Sequence, residues 1–194
     1  MKSSLITKIF GLFIRILILF LLFLFVYYLL YIKSNLVISK TLIESEKVLN
    51  EHKNYISQSR ITFIELIKLD PESPNFVLEK RNEIKTLDEI NKKALEYLAN
   101  PYNYPKILIK PNEYSNFLDN KLEKGLISLA EKNKNFFLEQ KKFFSKLETI
   151  NFQDQTEFLK SPESIKLLTE QTNLIFEYNF LLDKIDYYQI KLTK

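Results

Sequence analysis

EYSNFLDNKLEKGLISLAEKNKNFFLEQKKFFSKLETI, residues 113–150, carries the pattern that decides the fold. Leu122, Leu129, Phe136, Phe143 and Ile150 recur every seven residues, and Leu126, Asn133, Gln140 and Leu147 follow the first four of them by four. Residues three and four apart share one face of an α-helix, and a seam sustained over this length argues for helix packed on helix. The stretch therefore predicts a helix over about 113–150. Asn133 and Gln140 have two open placements: inside the seam, where a buried amide fixes register at some cost in stability, or on its wet edge.

Working outward, Ser161-Pro162-Glu163-Ser164 reads as a capping serine with proline at the first helical position. The helix that follows, about 162–192, carries Leu167, Leu174, Leu181 and Tyr188, interleaved with Gln171, Tyr178, Ile185 and Leu192. Two helices precede the seam. The first, about 34–69, has Leu42, Val48, Leu49, Tyr55, Ile56, Phe63 and Ile67 as its apolar positions; the second, about 75–99, has Val77, Ile84, Leu87, Ile90, Ala94 and Leu98. Asp70-Pro71-Glu72-Ser73-Pro74 divides them, because proline lacks an N–H and disfavours helix in the residue before it. Ser73 is expected to cap the second helix. Gly125 sits in mid-helix, where it costs about 1 kcal/mol against alanine, so a close helix approach is expected there. The expected fold is all-α: an N-terminal transmembrane helix, then an antiparallel four-helix bundle with coiled-coil-like packing over residues 33–194.

The membrane segment is ILILFLLFLFVYYLLYI, Ile16–Ile32. Extended back to Ile9 it is interrupted by a single charge, Arg15, which can snorkel to the nearer interface. At about 1.5 Å per residue, residues 9–32 span a hydrocarbon core of roughly 30 Å. Tyr27, Tyr28 and Tyr31 cluster at the far end, suited to the headgroup boundary. A cleaved signal peptide would need a shorter apolar region. Lys2, Lys8 and Arg15 before the span, against Lys33 and the lysines after it, point to a cytoplasmic tail over residues 1–8 and an extracytoplasmic bundle. A bacterial inner or cytoplasmic membrane is the expected setting.

The formal net charge of +4 belongs to Lys2, Lys8, Arg15 and Lys33, since the remaining 24 Lys and Arg balance the 24 Asp and Glu. The chain thus offers no basic surface for nucleic acid. Two glycines among 194 residues, where about 7% is usual, speak against phosphate-cradling loops and dinucleotide folds. No cysteine excludes disulfides and thiolate sites. His52 is the single histidine and lies in a mostly polar stretch, so a solvated surface residue is expected. No Glu-x-x-His pair and no Gly-x-Ser-x-Gly elbow occurs. No catalytic residue, metal ligand or cofactor is expected.

One contact site follows from the helix directions. Alternating helices return the 101–111 loop, with Tyr102, Tyr104, Ile107 and Leu108, and the last helix, with Tyr187 and Tyr188, to the membrane-proximal end. Tyrosine, aliphatic and lysine side chains together suit an interface with lipid or a membrane protein; plugging the end of the bundle is the plainer alternative. The layout is similar in architecture to LemA-type membrane proteins and to the sensory half of chemoreceptors, with no residue motif of either. The expected function is a non-catalytic, single-pass scaffold or assembly partner in the cell envelope, bound to the bilayer and to another envelope protein, or self-associating. A ligand-binding, sensor-like module is the alternative. An envelope enzyme would require a buried polar cluster inside the bundle.

Overall fold

A computed structural model describes residues 2–100, 120–151 and 154–193. Among them every regular element is helical: α1 (Lys2–Tyr27), a five-residue π-helical turn (Tyr28–Ile32), α2 (Lys33–Lys68), α3 (Phe76–Ala99), α4 (Asn120–Thr149), α5 (Gln155–Leu159) and α6 (Pro162–Thr193). The chain divides into two units, residues 1–41 and 42–194.

The first unit is dominated by one apolar helix. Phe10–Leu30, 21 residues, is long and apolar enough to cross a membrane. Its side chains from Leu12 to Leu30 are exposed all the way round, as befits a helix with no polar face. The π-helical turn holds Tyr28 and Tyr31, so the tyrosine cluster coincides with a local widening of the helix.

In the second unit the helix ends follow from local chemistry. After α2, the Asp70 carboxylate accepts the Glu72 backbone N–H at 3.0 Å, an Asx turn that the following proline context favours. The Ser73 hydroxyl accepts the Asn75 N–H at 3.3 Å, and Phe76 N–H donates to the Ser73 carbonyl. Ser73 thus stabilises the turn, and α3 starts at Phe76. At the other proline signal the expectation holds. The Ser161 hydroxyl accepts the Ser164 N–H, and Ile165 N–H donates to the Ser161 carbonyl, with Pro162 opening α6. α5 is an addition to the expected elements. Gln155, its first residue, donates from Nε2 to the carbonyls of Leu147 and Ile150 at 3.0 Å each, capping the C-terminal end of α4.

α4 packs against both α3 and α6. Its seven-residue seam is buried as the spacing requires: Leu122, Leu126, Leu129, Phe136, Phe143 and Leu147 are all inside, while Ile150, past the helix end, is half-buried. α6 buries Leu167, Leu174, Leu181 and Ile185 in the same way. α2 contributes Leu42, Leu49, Ile56 and Phe63, again seven apart. Phe63 meets Phe143 and Phe144 edge-on at 5.7 and 5.6 Å, and Phe143 stacks on Phe158 at 4.9 Å. These geometries suit the ring quadrupole. A Cβ at Gly125 would lie 3.3 Å from the Leu181 side chain, so the mid-helix glycine marks a close approach of α4 and α6.

Lys80 is the unexpected core residue, 2% exposed with its ammonium 5.2 Å from the centre of the Phe76 ring. Burial pushes its pKa below the ordinary 10.5. A lowered folded pKa means that the charged form costs stability at every pH below it. That cost is relieved as pH climbs from the folded value toward 10.5. Lys80→Met should raise unfolding stability at neutral pH by about 1 kcal/mol and remove the alkaline gain. Urea titrations of both chains at pH 7 and pH 10 check it.

Candidate functional site

The buried positions of α2 alternate. Three residues after each of Leu42, Leu49 and Ile56 comes a buried polar residue: Ser45, His52 and Ser59, themselves seven apart. α6 answers with Ser164, Gln171 and Tyr178, also seven apart, and α4 with Asn133 and Gln140. Asn91 is the buried amide of α3. The core therefore contains a ladder of polar side chains set between apolar rungs.

Two rungs are joined across helices. Ser59 Oγ accepts a hydrogen bond from Gln140 Nε2 and a second from Gln171 Nε2, the latter at 3.1 Å. One heptad away, the Tyr178 hydroxyl and His52 Nδ1 share a hydrogen bond at 3.3 Å. Moving toward the N-terminus on α2 moves toward the C-terminus on α6, as antiparallel neighbours require. The edge of the His52 ring also meets Tyr97 of α3 at 5.5 Å, and Tyr97 contacts Tyr55 at 5.7 Å. Burial, with the Glu51 carboxylate nearby, raises the pKa of both phenols; Tyr55 is held further by its hydrogen bond to Glu51. They remain protonated donors throughout the neutral range.

His52 is thus a correction to the sequence expectation: it is 0% exposed, not solvated. The polar neighbours Glu51 and Lys53 suggested a wet face, yet His52 occupies the same helical row as Ser45 and Ser59. That seven-residue polar row, three residues behind an apolar row, was the available signal. Asn133 and Gln140 lie inside the seam, at 0% exposure each.

Buried amides need partners, because an unmet buried polar atom costs about 1–3 kcal/mol. Among the described residues, Gln140 Oε1, Gln171 Oε1 and both polar ends of Asn91 and Asn133 have no hydrogen-bond partner. Ser59→Ala would add the two glutamine Nε2 groups to that set and should cost about 2 kcal/mol. Adding Gln140→Leu and Gln171→Leu to it should recover wild-type stability or better, since replacing all partners with apolar groups removes the penalty. Thermal unfolding of the two variants distinguishes them.

The ladder can specify hydrogen bonds, but its members are amides, hydroxyls and one imidazole. His52 and Ser59 are about 10 Å apart along one helix, which does not pair a base with a nucleophile. Among the described residues no group of three or more His, Asp or Glu could hold a metal ion.

Of the expected contact residues, Tyr102, Tyr104, Ile107 and Leu108 lie outside the described residues. Tyr187 is exposed and packs edge-on against half-buried Tyr188 at 5.6 Å. Arg15, Tyr27 and Tyr28 are exposed on the apolar helix and its π-helical end. Lys2 and Lys8 lie on α1, Tyr31 in the π-helical turn, and Lys33 opens α2. A feature not foreseen runs along α6. Ile165, Phe176, Phe180, Tyr187 and Ile190 are all exposed, with Phe176 at 73%. At 100° per residue they fall on the side opposite Leu174, Tyr178 and Ile185. Exposed ion pairs flank the α4–α6 seam: Lys132 with Glu177 at 2.8 Å, Lys146 with Glu163 at 3.1 Å, and Lys166 with Glu139 at 3.7 Å. Such pairs contribute little individually. No protein-family model, curated protein or solved structure matches the chain.

Proposed function

We propose that the chain is a non-catalytic, single-pass membrane-anchored scaffold or assembly partner of the cell envelope. The observation that carries this reading is the 21-residue apolar helix Phe10–Leu30, joined to a helical unit whose charges balance. In this reading residues 33–194 form an antiparallel four-helix bundle, up-down-up-down, packed like a coiled coil through α2, α3, α4 and α6. The N-terminus is cytoplasmic and the bundle is exported, in a bacterial inner or cytoplasmic membrane, as the flanking lysines favour. Its partners are the bilayer and another membrane or envelope protein, with a second copy of the chain as a further candidate; the exposed apolar face of α6 supports a protein contact.

Two experiments test it. The chain has no cysteine, so single-cysteine variants report cleanly. Exposed Glu72→Cys should react with a membrane-impermeant maleimide in intact cells, and Ser4→Cys only after permeabilisation. The reverse labelling would invert the topology. A photoreactive side chain at Phe176 should give a defined adduct in native membranes; adducts no stronger than those from exposed Lys142 would count against a partner there.

A sensor-like module is the second reading, supported by the buried amide atoms that lack protein partners, where a small polar ligand would gain hydrogen bonds. A ligand that raises the unfolding temperature would favour it.

A further inference from the structure

The Ser59–Gln140–Gln171 rung cannot satisfy itself. Ser59 Oγ spends its lone pairs on two amide N–H donors, one from α4 and one from α6. Its single hydroxyl proton can reach at most one acceptor. Two carboxamide oxygens, Gln140 Oε1 and Gln171 Oε1, remain buried without a protein partner. Turning either amide over exchanges the atom that is left without removing the shortage, because one hydroxyl faces two carboxamides. Both glutamines are 0% exposed, so bulk solvent does not reach them.

We propose that this rung is a buried water site. One ordered water beside Ser59, between Gln140 and Gln171, donates its two hydrogens to the two orphan oxygens. The second N–H of each glutamine amide is the donor on hand for the water's lone pairs. Two acceptors held between three helices match the donor count of water, and two to four polar partners are what a resident buried water needs. The same shortage recurs one heptad along α4 at Asn133, where both a donor and an acceptor end lack protein partners. The Gln rung is the better-defined site, because two amides from different helices converge on it. A water there ties α4 and α6 together, beside the Ser59 hydroxyl of α2, through hydrogen bonds that exchange without breaking the apolar rungs above and below.

The full-length chain in detergent micelles, labelled with 15N at glutamine side chains, tests this. The Gln140 and Gln171 amide protons should show cross-peaks at the water frequency, with NOE and ROE of opposite sign, as a long-resident water gives. Exposed Gln58 serves as the control for surface water. The measurement is repeated in Ser59→Ala, which removes the hydroxyl that could relay exchange. Cross-peaks that persist there support the bound water. Their absence from the wild type overturns it, as does their loss in Ser59→Ala while the other core amides keep their shifts.

Discussion

Leu19→Lys combined with Leu22→Lys should release the chain from the membrane fraction. Both residues lie near the middle of Phe10–Leu30, where every described side chain from Leu12 to Leu30 is exposed. At the centre of a spanning helix a lysine costs about 2.5–3.5 kcal/mol, whereas Leu, Ile, Phe and Val each contribute only about 0.3–0.6 kcal/mol. Two lysines therefore oppose the sequence with about 5–7 kcal/mol, comparable to the gain of the whole apolar run. Snorkelling cannot relieve them, since the middle of the span is farthest from either interface. The measurement is alkaline extraction of membranes: wild type in the pellet, the double variant in the supernatant or degraded. A double variant that pellets like wild type would mean that the helix is held by protein rather than lipid.

Phe63→Ala should be the most costly single truncation in the helical unit, at about 3–5 kcal/mol. Phe63 is fully buried and meets two phenylalanines of α4 edge-on. The loss combines the transfer energy of the ring with a cavity that the surrounding core closes only in part. Against a total stability of about 5–15 kcal/mol, that removes a large part of the margin at the lower end of the range. Urea unfolding of the full-length chain in detergent, followed by helix content, measures it. A loss below about 1 kcal/mol would place Phe63 outside a packed core.

The two experiments separate the parts of the molecule that were read from sequence in different ways. The apolar helix was legible from a charge-free run, and the seam of α4 from Leu122, Leu129, Phe136 and Phe143 alone. Helix ends were nearly as plain where proline supplied them: Ser161-Pro162 caps α6 as anticipated, while Ser73 serves the turn before α3. α5 is not legible because five residues carry no period. The polar ladder is not legible residue by residue. Polar side chains on a charged helix, such as Ser45, His52 and Ser59, look solvated one at a time, and their shared seven-residue row emerges only beside the apolar row. The apolar stripe of α6 was hidden for a related reason, since Phe176 and Phe180 look like core until the opposite face of the helix is seen to be filled.

Local sequence was enough for the all-helical class, the apolar helix Phe10–Leu30 and the apolar seams, because helical periodicity, proline's missing N–H and an uninterrupted apolar run all act within a few turns of chain. Which partner each buried polar group meets was decided by tertiary structure alone. Ser59 meets Gln140 81 residues away and Gln171 112 residues away, and His52 meets Tyr178 at a separation of 126. A hydrogen-bond partner that far along the chain lowers the cost of burying a polar side chain, and no local signal names that partner.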